Sequence, residues 1–262
     1  MQTPLISVIL PCSNSQKWIE EAINSVLAQS HTNIELIIID DASSDKTISL
    51  INSLSDSRIS LIKRSRCSGG PATPRNEGMK RAKGRYFAFI DSDDIWHPDK
   101  LKRQLAAIDK HQLNFVSSSL ISFKDVKPPI PKLTSEDINL SFKNHEMLLR
   151  KNWVITSSAL IEASLFKDIK FNHAKEYIGI EDYLAWLQIH QRDDIKSAVL
   201  KEPLVLYRLR SDSLSHSKYQ MAKKVFHLLR TYQYRGRRLG LSGFYYFAYY
   251  ALASLSNRFS KN

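Results

Sequence analysis

Three aspartates at the end of an apolar run are the residues of this chain best suited to bind a cation. Asp91, Asp93 and Asp94 directly follow "RYFAFI" and precede Pro98, which can begin a helix. Neighbouring carboxylates repel one another unless a cation or a hydrogen-bonded ligand lies between them. Carboxylate oxygens suit Mg²⁺ or Mn²⁺, and such sites combine few protein ligands with substrate phosphates. The Asp-x-Asp spacing therefore indicates a metal site for a ligand that carries phosphate.

Three other interpretations of the "DSDD" segment compete for the same residues. Aspartate is common in solvated turns, so a plain turn stays an alternative. An EF-hand loop would need an oxygen-bearing side chain and a glycine where this chain has Ile95 and Trp96. A phosphatase-type aspartyl nucleophile would need Lys and Thr motifs that we do not find, and no Ser-His-Asp or Cys-His arrangement offers covalent catalysis instead.

The elements around the aspartates alternate between strand and helix. Apolar, β-branched runs at 5–10, 34–40, 58–64 and 85–90 predict buried strands, and the segments between them have helical spacing. One of these helices is expected to start near Pro74 and to end at about Ala82. The alternation predicts a doubly wound, parallel α/β sheet. Ligands of such sheets bind beyond the carboxyl ends of the strands, which predicts a crevice among Asn14, Asp40, Asp41, Gly69, Gly70 and residues 91–94.

Composition limits the class of protein. The chain has 262 residues, of which 43% are hydrophobic and 24% charged, as is usual for soluble globular proteins. Its two cysteines, Cys12 and Cys67, form no CxxC motif and are too few for a disulfide scaffold. The first residues lack a basic leader with an apolar core, and no apolar run reaches the roughly 18 residues that a bilayer span requires. We therefore expect a cytoplasmic protein.

The net charge of +12 is concentrated at the C-terminus. No Asp or Glu follows Asp212, whereas nine Lys and Arg residues do, among many aromatic residues. Two interpretations of residues 218–262 remain open: helices that pack on the domain, or an anchor that holds the protein peripherally on an anionic inner membrane face. The nearly neutral body, and the lack of a recognised module in the tail, argue against nucleic acid as a partner.

At this point the sequence resembles the family 2 inverting glycosyltransferases, which have the GT-A fold. The resemblance covers residues 5 to about 215, is dense through Leu101, and leaves the tail uncovered. It implies a mixed, mainly parallel GT-A-like sheet with a nucleotide-sugar half at about 1–110, an acceptor half at about 111–215 and a basic helical extension at 216–262. The matching segments are "SVILPCSN", "NSVLAQSHTNIELIIIDDASSDKT", "GGPATPRNEGMKRAKGRYFAFIDSDDIWHPDKL", "GIEDYLAWL" and "YRLRSDSLS".

The resemblance also implies roles for residues that bind the donor nucleotide. Asp41 would bind the base, although a helix-capping role is its plain alternative. Arg75 would hold base or phosphate, and Asp91 would meet the ribose. Members commonly carry an aromatic residue where this chain has Ser13, which leaves the identity of the nucleotide open. Asn14 matches a motif position as well, and we expect it, with Asp45, to shape a loop.

For metal binding and catalysis, the resemblance implies a second set of residues. Asp93 would bind Mn²⁺ or Mg²⁺, Asp94 would share the metal or shape its surroundings, and His216 is a candidate third ligand. Asp182 would be the general base that deprotonates the acceptor. Its alternative is structural, because Glu181 and Asp182 could simply favour the first turn of a helix.

These observations predict a metal-dependent, inverting transferase. It would move a sugar from a nucleoside diphosphate, uridine-linked by analogy, to a glycan or lipid-linked glycan in the synthesis of a surface polysaccharide or lipopolysaccharide. The main alternative is a nucleotide-sugar-binding assembly partner without turnover. A more distant one is a nucleotidyltransferase, which would release pyrophosphate.

Overall fold

The computed structural model describes residues 3–133, 137–210 and 218–256. Eleven strands and eight α-helices lie within these ranges. The strands are β1 (Ile6–Cys12), β2 (Ile34–Asp40), β3 (Ile59–Lys63), β4 (Tyr86–Phe89), β5 (Ile95–Trp96), β6 (Phe115–Phe123), β7 (Leu140–Lys143), β8 (Leu160–Glu162), β9 (Ser197–Arg208), β10 (Gln233–Tyr234) and β11 (Arg237–Arg238). The helices are α1 (Ile19–Leu27), α2 (Thr47–Ser53), α3 (Ala72–Arg81), α4 (Lys100–His111), α5 (His145–Arg150), α6 (Glu181–Ile189), α7 (Lys218–Thr231) and α8 (Ser242–Ser256).

The central sheet has the strand order β3-β2-β1-β4-β8-β6-β9-β5, with β7 added to β9. Strands β3, β2, β1 and β4 run parallel, and β6 pairs in parallel with β9. The antiparallel pairings, such as that of β4 with β8, are short. This confirms the predicted mixed, mostly parallel α/β sheet.

Both faces of the sheet are covered. Along β1, Ile6 and Val8 belong to one apolar cluster and Ile9 to the other, because successive side chains of a strand point to opposite faces. Helices α1 and α4 pack on the first face, whereas α3, α5, α6 and α7 pack on the second. The near-continuous apolar strands of the sequence follow from this double burial.

Helix α3 begins at Ala72, two residues earlier than Pro74 predicted. Pro71 is its N-cap, and the first hydrogen bond of the helix joins the Arg75 N–H to the Pro71 carbonyl. Pro74 lies within the first turn, where the missing N–H costs nothing because those groups have no helical partner. The helix thus starts directly after the Gly69–Gly70 loop.

The described helices of the tail pack on the domain. Val225, Leu228 and Leu229 of α7 are buried in the second cluster, and the β10–β11 hairpin lies between α7 and α8. The packing interpretation therefore holds for α7. In the described part of the chain, no helix is both long and apolar enough to cross a bilayer. The division predicted at residue 215 lies outside the described residues and stays a prediction.

Candidate active site

A pocket of about 720 Å³ opens at the carboxyl ends of β1, β2 and β4. This is the edge at which ligands of doubly wound sheets bind. The pocket is lined by five of the predicted site residues, Asp41, Arg75, Asp91, Asp93 and Asp182.

The loop residues that we expected near this edge serve the local fold. Asn14, at φ 48°, accepts a hydrogen bond from the Ser44 N–H at 2.9 Å. Asp45 accepts from Thr47 Oγ1 and from the Gln16 N–H. Asp40 is fully buried and accepts from the Ser43 N–H. The predicted loop geometry of Asn14 and Asp45 is therefore confirmed.

Asp91 and Asp93 follow β4 and reach the pocket with side chains that are 35% and 19% exposed. Burial, followed by the charge of Asp91, raises the pKa of Asp93. Arg210 offsets part of this repulsion through an ion pair with Asp93 at 3.3 Å. Two crowded carboxylates at a pocket wall fit a hard divalent cation. Among the described residues, however, no group of three or more Asp, Glu, His or Cys side chains is arranged to hold a metal, so donor phosphates would have to complete the shell.

Asp94 faces away from this pocket. It is fully buried, its Oδ2 accepts a hydrogen bond from Ser157 Oγ, and its Oδ1 accepts one from the Arg208 N–H at 3.0 Å. Burial and the neighbouring aspartates raise its pKa well above the ordinary value. These contacts favour the second of its two expected roles, since Oδ2 joins the loop after β4 to the 3₁₀ turn and Oδ1 joins that loop to β9. A role of Asp94 as a metal ligand stays a prediction, and the metal site proposed below uses Asp93. His216, the other candidate ligand, lies outside the described residues.

Arg75 connects the two ends of the site. Its Nη2 donates to Asp91 at 2.6 Å and its Nη1 donates to Glu181 at 2.8 Å, while the guanidinium lies over the ring of Phe171. Burial lowers the pKa of Arg75, but the charges of Asp91 and Glu181 outweigh it and raise the pKa further. The structure thus places Arg75 against protein carboxylates. Its predicted contact with base or phosphate stays a prediction.

Asp182 lies in the first turn of α6, beside the pocket. Its Oδ2 accepts from Thr156 Oγ1 at 2.7 Å and its Oδ1 accepts from the Tyr183 N–H at 2.6 Å. Burial and the nearby charge of Glu181 raise the pKa of Asp182 to about 6, although Arg75 acts in the opposite direction. A carboxylate with that pKa is ionised at neutral pH and still basic enough to accept a proton.

Asp41 is held by the loop that precedes α3. Its carboxylate accepts from the Ser68 N–H, from Ser68 Oγ at 2.7 Å and from Arg64 Nε at 2.8 Å. It lies after β2 rather than at a helix start, so the capping alternative does not describe its contacts. Ser13, which replaces the family's aromatic residue, is an exposed side chain at the same wall of the pocket.

Sequence reasoning did not assign roles to several residues that shape the site. Thr156 and Ser157, on a short 3₁₀ turn, hold Asp182 and Asp94 respectively. No local motif marks these hydroxyls. Arg208 and Arg210, by contrast, alternate along "YRLR", and this pattern places both on one side of an extended segment.

Comparisons with known proteins decide the family. The model for "Glycosyl transferase family 2" matches residues 7–170. The chain belongs to this family. It is a glycosyltransferase with a GT-A-like fold.

Two curated relatives match nearly full length. The Escherichia coli protein "UDP-Glc:alpha-D-GlcNAc-diphosphoundecaprenol beta-1,3-glucosyltransferase WfaP" is 32% identical over 242 residues, which cover 92% of each chain. The Bacillus subtilis "Putative teichuronic acid biosynthesis glycosyltransferase TuaG" is 31% identical and covers 87% of this chain and 88% of its own.

Solved structures share the fold. S. aureus TarS 1-349 in complex with UDP-GlcNAc has a TM-score of 0.67 at 23% identity, covering 86% of this chain and 66% of that one. The mannosyltransferase PcManGT from Pyrobaculum calidifontis, in complex with GDP-Man and Mn²⁺, has a TM-score of 0.63 at 17% identity, covering 100% of this chain and 76% of its own.

Proposed function

We propose that this glycosyltransferase transfers a sugar from a UDP-sugar to a lipid-linked glycan, with inversion at the anomeric carbon, in the synthesis of a surface polysaccharide. The observation that carries the proposal is the arrangement of Asp91, Asp93 and Asp182 around one pocket, with Arg75 between the donor side and the base. The name of the E. coli relative supports the donor and acceptor classes, and the teichuronic acid in the name of the B. subtilis relative supports the polysaccharide.

On the donor side, Asp41 would accept a hydrogen bond from the base and Asp91 would bind the ribose. The Gly69–Gly70 loop and the start of α3 line the same pocket, and the N–H groups of a helix start favour a bound diphosphate. Arg210 lies at this wall as well and can contribute positive charge towards the phosphates. These contacts would orient the sugar with its anomeric carbon towards Asp182.

Asp93, together with the donor phosphates, would hold the divalent cation. When bound, that ion supplies positive charge that stabilises the departing nucleoside diphosphate. The crowded carboxylates of Asp91 and Asp93 fit this role. The Mn²⁺ in the complex of PcManGT with GDP-Man agrees with it.

On the acceptor side, Asp182 would take the proton of the attacking hydroxyl. Thr156 and the Tyr183 N–H hold its carboxylate in one orientation, so the base need not reorganise during the attack. The O–H bond of the acceptor breaks as its oxygen forms the bond to the anomeric carbon, and the bond to the diphosphate breaks on the opposite face. One such displacement inverts the centre and needs no protein nucleophile.

The test combines a donor screen with variants. We expect nucleoside diphosphate release with a UDP-sugar, and we expect Asp182→Ala to lose roughly 100-fold or more in transfer while still binding UDP with Mn²⁺. The matched control is Asp193→Ala, which removes an aspartate whose side chain is 91% exposed. Product NMR that shows a β-linkage from an α-linked donor confirms inversion, whereas retention would refute it. Pyrophosphate release would indicate the nucleotidyltransferase, and UDP binding without any transfer would indicate the non-catalytic alternative.

A further inference from the structure

Helix α8 presents an apolar stripe to solvent. Its large side chains, with Leu241 just before the helix, recur at helical spacing and are strongly exposed: Leu241 (85%), Phe244 (48%), Tyr245 (57%), Tyr249 (45%) and Leu252 (66%). We call these five residues the α8 stripe. A monomeric soluble protein rarely exposes a contiguous apolar patch of this kind, and such patches mark interaction surfaces.

The opposite face of α8 is fixed to the domain. Tyr246, Phe247 and Tyr250 pack against the second apolar cluster. A Cβ on Gly243 would lie 2.7 Å from the Leu229 carbonyl oxygen, so the two tail helices approach each other closely there. The stripe is therefore held outward by a packed helix, and its exposure does not come from a helix that is detached from the fold.

Cations outnumber anions around the stripe: Arg150 of α5 lies over the ring of Tyr249, although it also pairs with Glu146. Helix α8 itself carries no charged residue, and the hairpin before it supplies the exposed Arg237 and Arg238. Arg235 is exposed as well, but it pairs with Asp193 at 2.7 Å. Arg258 and Lys261 follow α8 in the sequence, and no acidic residue follows Asp212. An apolar stripe with cations next to it complements an anionic lipid surface, where aromatic rings enter the headgroup layer.

The dimensions agree with docking in the plane of a membrane. Fifteen helical residues extend about 22 Å, which is shorter than the roughly 30 Å hydrocarbon core of a bilayer. A second copy of the chain is a less suitable partner for the α8 stripe, because a two-fold contact would bring Arg237 and Arg238 of both copies together. A single helix face also offers less area than the roughly 800 Å² that each partner contributes to a stable dimer.

We propose that the α8 stripe, with Arg237 and Arg238, docks this glycosyltransferase on an anionic bilayer. The same helix reaches the active site, since Tyr250 lines the pocket together with Met221 and Val225. A helix with its side chains is about 10 Å across, so docking would place the acceptor side of the pocket next to the headgroups. That consequence for the acceptor rests on the proposed function, whereas the docking itself does not.

Vesicle flotation tests the docking with the full chain. We expect flotation with vesicles of phosphatidylcholine containing about one third phosphatidylglycerol, and little with phosphatidylcholine alone. Raising the salt from about 0.05 M to about 0.5 M should weaken binding, because the Debye length shortens. Replacing Arg237 and Arg238 by Ser should reduce partitioning about fivefold for each charge removed at low salt.

The stripe itself is tested by Tyr245→Ser combined with Leu252→Ser, which should reduce partitioning about tenfold or more. Both side chains are exposed, so the variant should keep its far-UV circular dichroism and its urea unfolding midpoint. Phe142→Ser is the matched control, because this aromatic side chain is 59% exposed on β7 and lies outside the stripe. The control should float like the parent chain.

Three outcomes would overturn the proposal. The first is no flotation at low salt, and the second is an equal loss of flotation in the Phe142→Ser control. The third is that the parent chain sediments as a dimer and the stripe variant as a monomer, while neither protein floats with vesicles. Transfer to a soluble acceptor separates this proposal from the proposed function: the stripe variant should keep that transfer, and only Asp182→Ala should lose it.

Discussion

Replacing Asp182 by Asn should inactivate the protein and at the same time stabilise its fold. Burial and Glu181 raise the pKa of Asp182 from the ordinary value of 3.8 to about 6. Above pH 6 the folded protein therefore holds an ionised carboxylate in a place that disfavours its charge. A difference of about two pH units corresponds to at most about 3 kcal/mol in the free energy of unfolding.

The Asn side chain avoids this penalty and can keep most of the contacts. Its oxygen can still accept from the Tyr183 N–H, and its amide can donate to Thr156 Oγ1 if the hydroxyl hydrogen turns away. Small losses in the geometry of these bonds reduce the gain, so we expect Asp182→Asn to stabilise the fold by about 1–3 kcal/mol at pH 7.5. Transfer should fall by roughly 100-fold to 10,000-fold, because the general base is gone.

The pH dependence of the stability difference identifies the cause. Because the folded pKa lies above the unfolded one, the parent loses stability as the pH rises from about 4 to about 6, and the variant does not. Urea unfolding of both proteins should show the stability difference shifting towards the variant by about 2 kcal/mol between pH 4 and pH 6.5. The control Asp193→Asn should stay within about 0.5 kcal/mol of the parent at every pH. An Asp182→Asn variant that is less stable by the same amount at both pH values would refute the reasoning.

Four further predictions concern Arg75, Asp93, Asp94 and Gly243. Arg75→Met should lower the free energy of unfolding by about 3–5 kcal/mol, because it leaves the carboxylates of Asp91 and Glu181 without their shared cation. The control Arg235→Ser removes an exposed ion pair and should lower the free energy of unfolding by less than about 1 kcal/mol. Urea unfolding measures both values. Asp93→Asn should weaken UDP binding about tenfold or more in calorimetry with Mn²⁺ and leave it unchanged without metal, and equal weakening in both would contradict the metal role. Asp94→Ala should instead lower thermal stability, because it removes the two acceptors of the Ser157 hydroxyl and the Arg208 N–H and leaves both donors buried. Gly243→Ala should push α8 away from α7 and speed proteolysis of the tail, and an unchanged cleavage rate would contradict the close approach.

The sequence alone was sufficient for most elements of the nucleotide-sugar half, although it did not predict the two-residue strand β5. Strands β1 to β4 and helices α1 to α4 lie where apolar periodicity predicted them, and α3 differed only in its first residues. The same pattern placed Asp41 and Asp91 at one edge of the sheet, because parallel strands end together. Residues 152–166 were harder: the segment "NWVITSSALIEASLF" has mixed signals, and it forms two 3₁₀ turns and the short strand β8.

Only the tertiary structure decided which polar groups meet. Arg75 and Glu181 are 106 positions apart in the chain, and Ser157 is 63 positions from Asp94, yet both pairs are in contact. The periodicity of apolar residues within a helix or strand indicates which of its faces is buried. It does not indicate which side chains of another element that face will contact. The packing of α6 and of the 3₁₀ turn against the sheet sets those partners. It thereby sets the pKa of Asp182, and it decides that Asp93 lines the pocket while Asp94 is buried in contact with Ser157 and Arg208. Charge and apolar content marked the tail from the sequence, whereas its fold decided that the stripe of α8 faces solvent while Tyr250 faces the pocket.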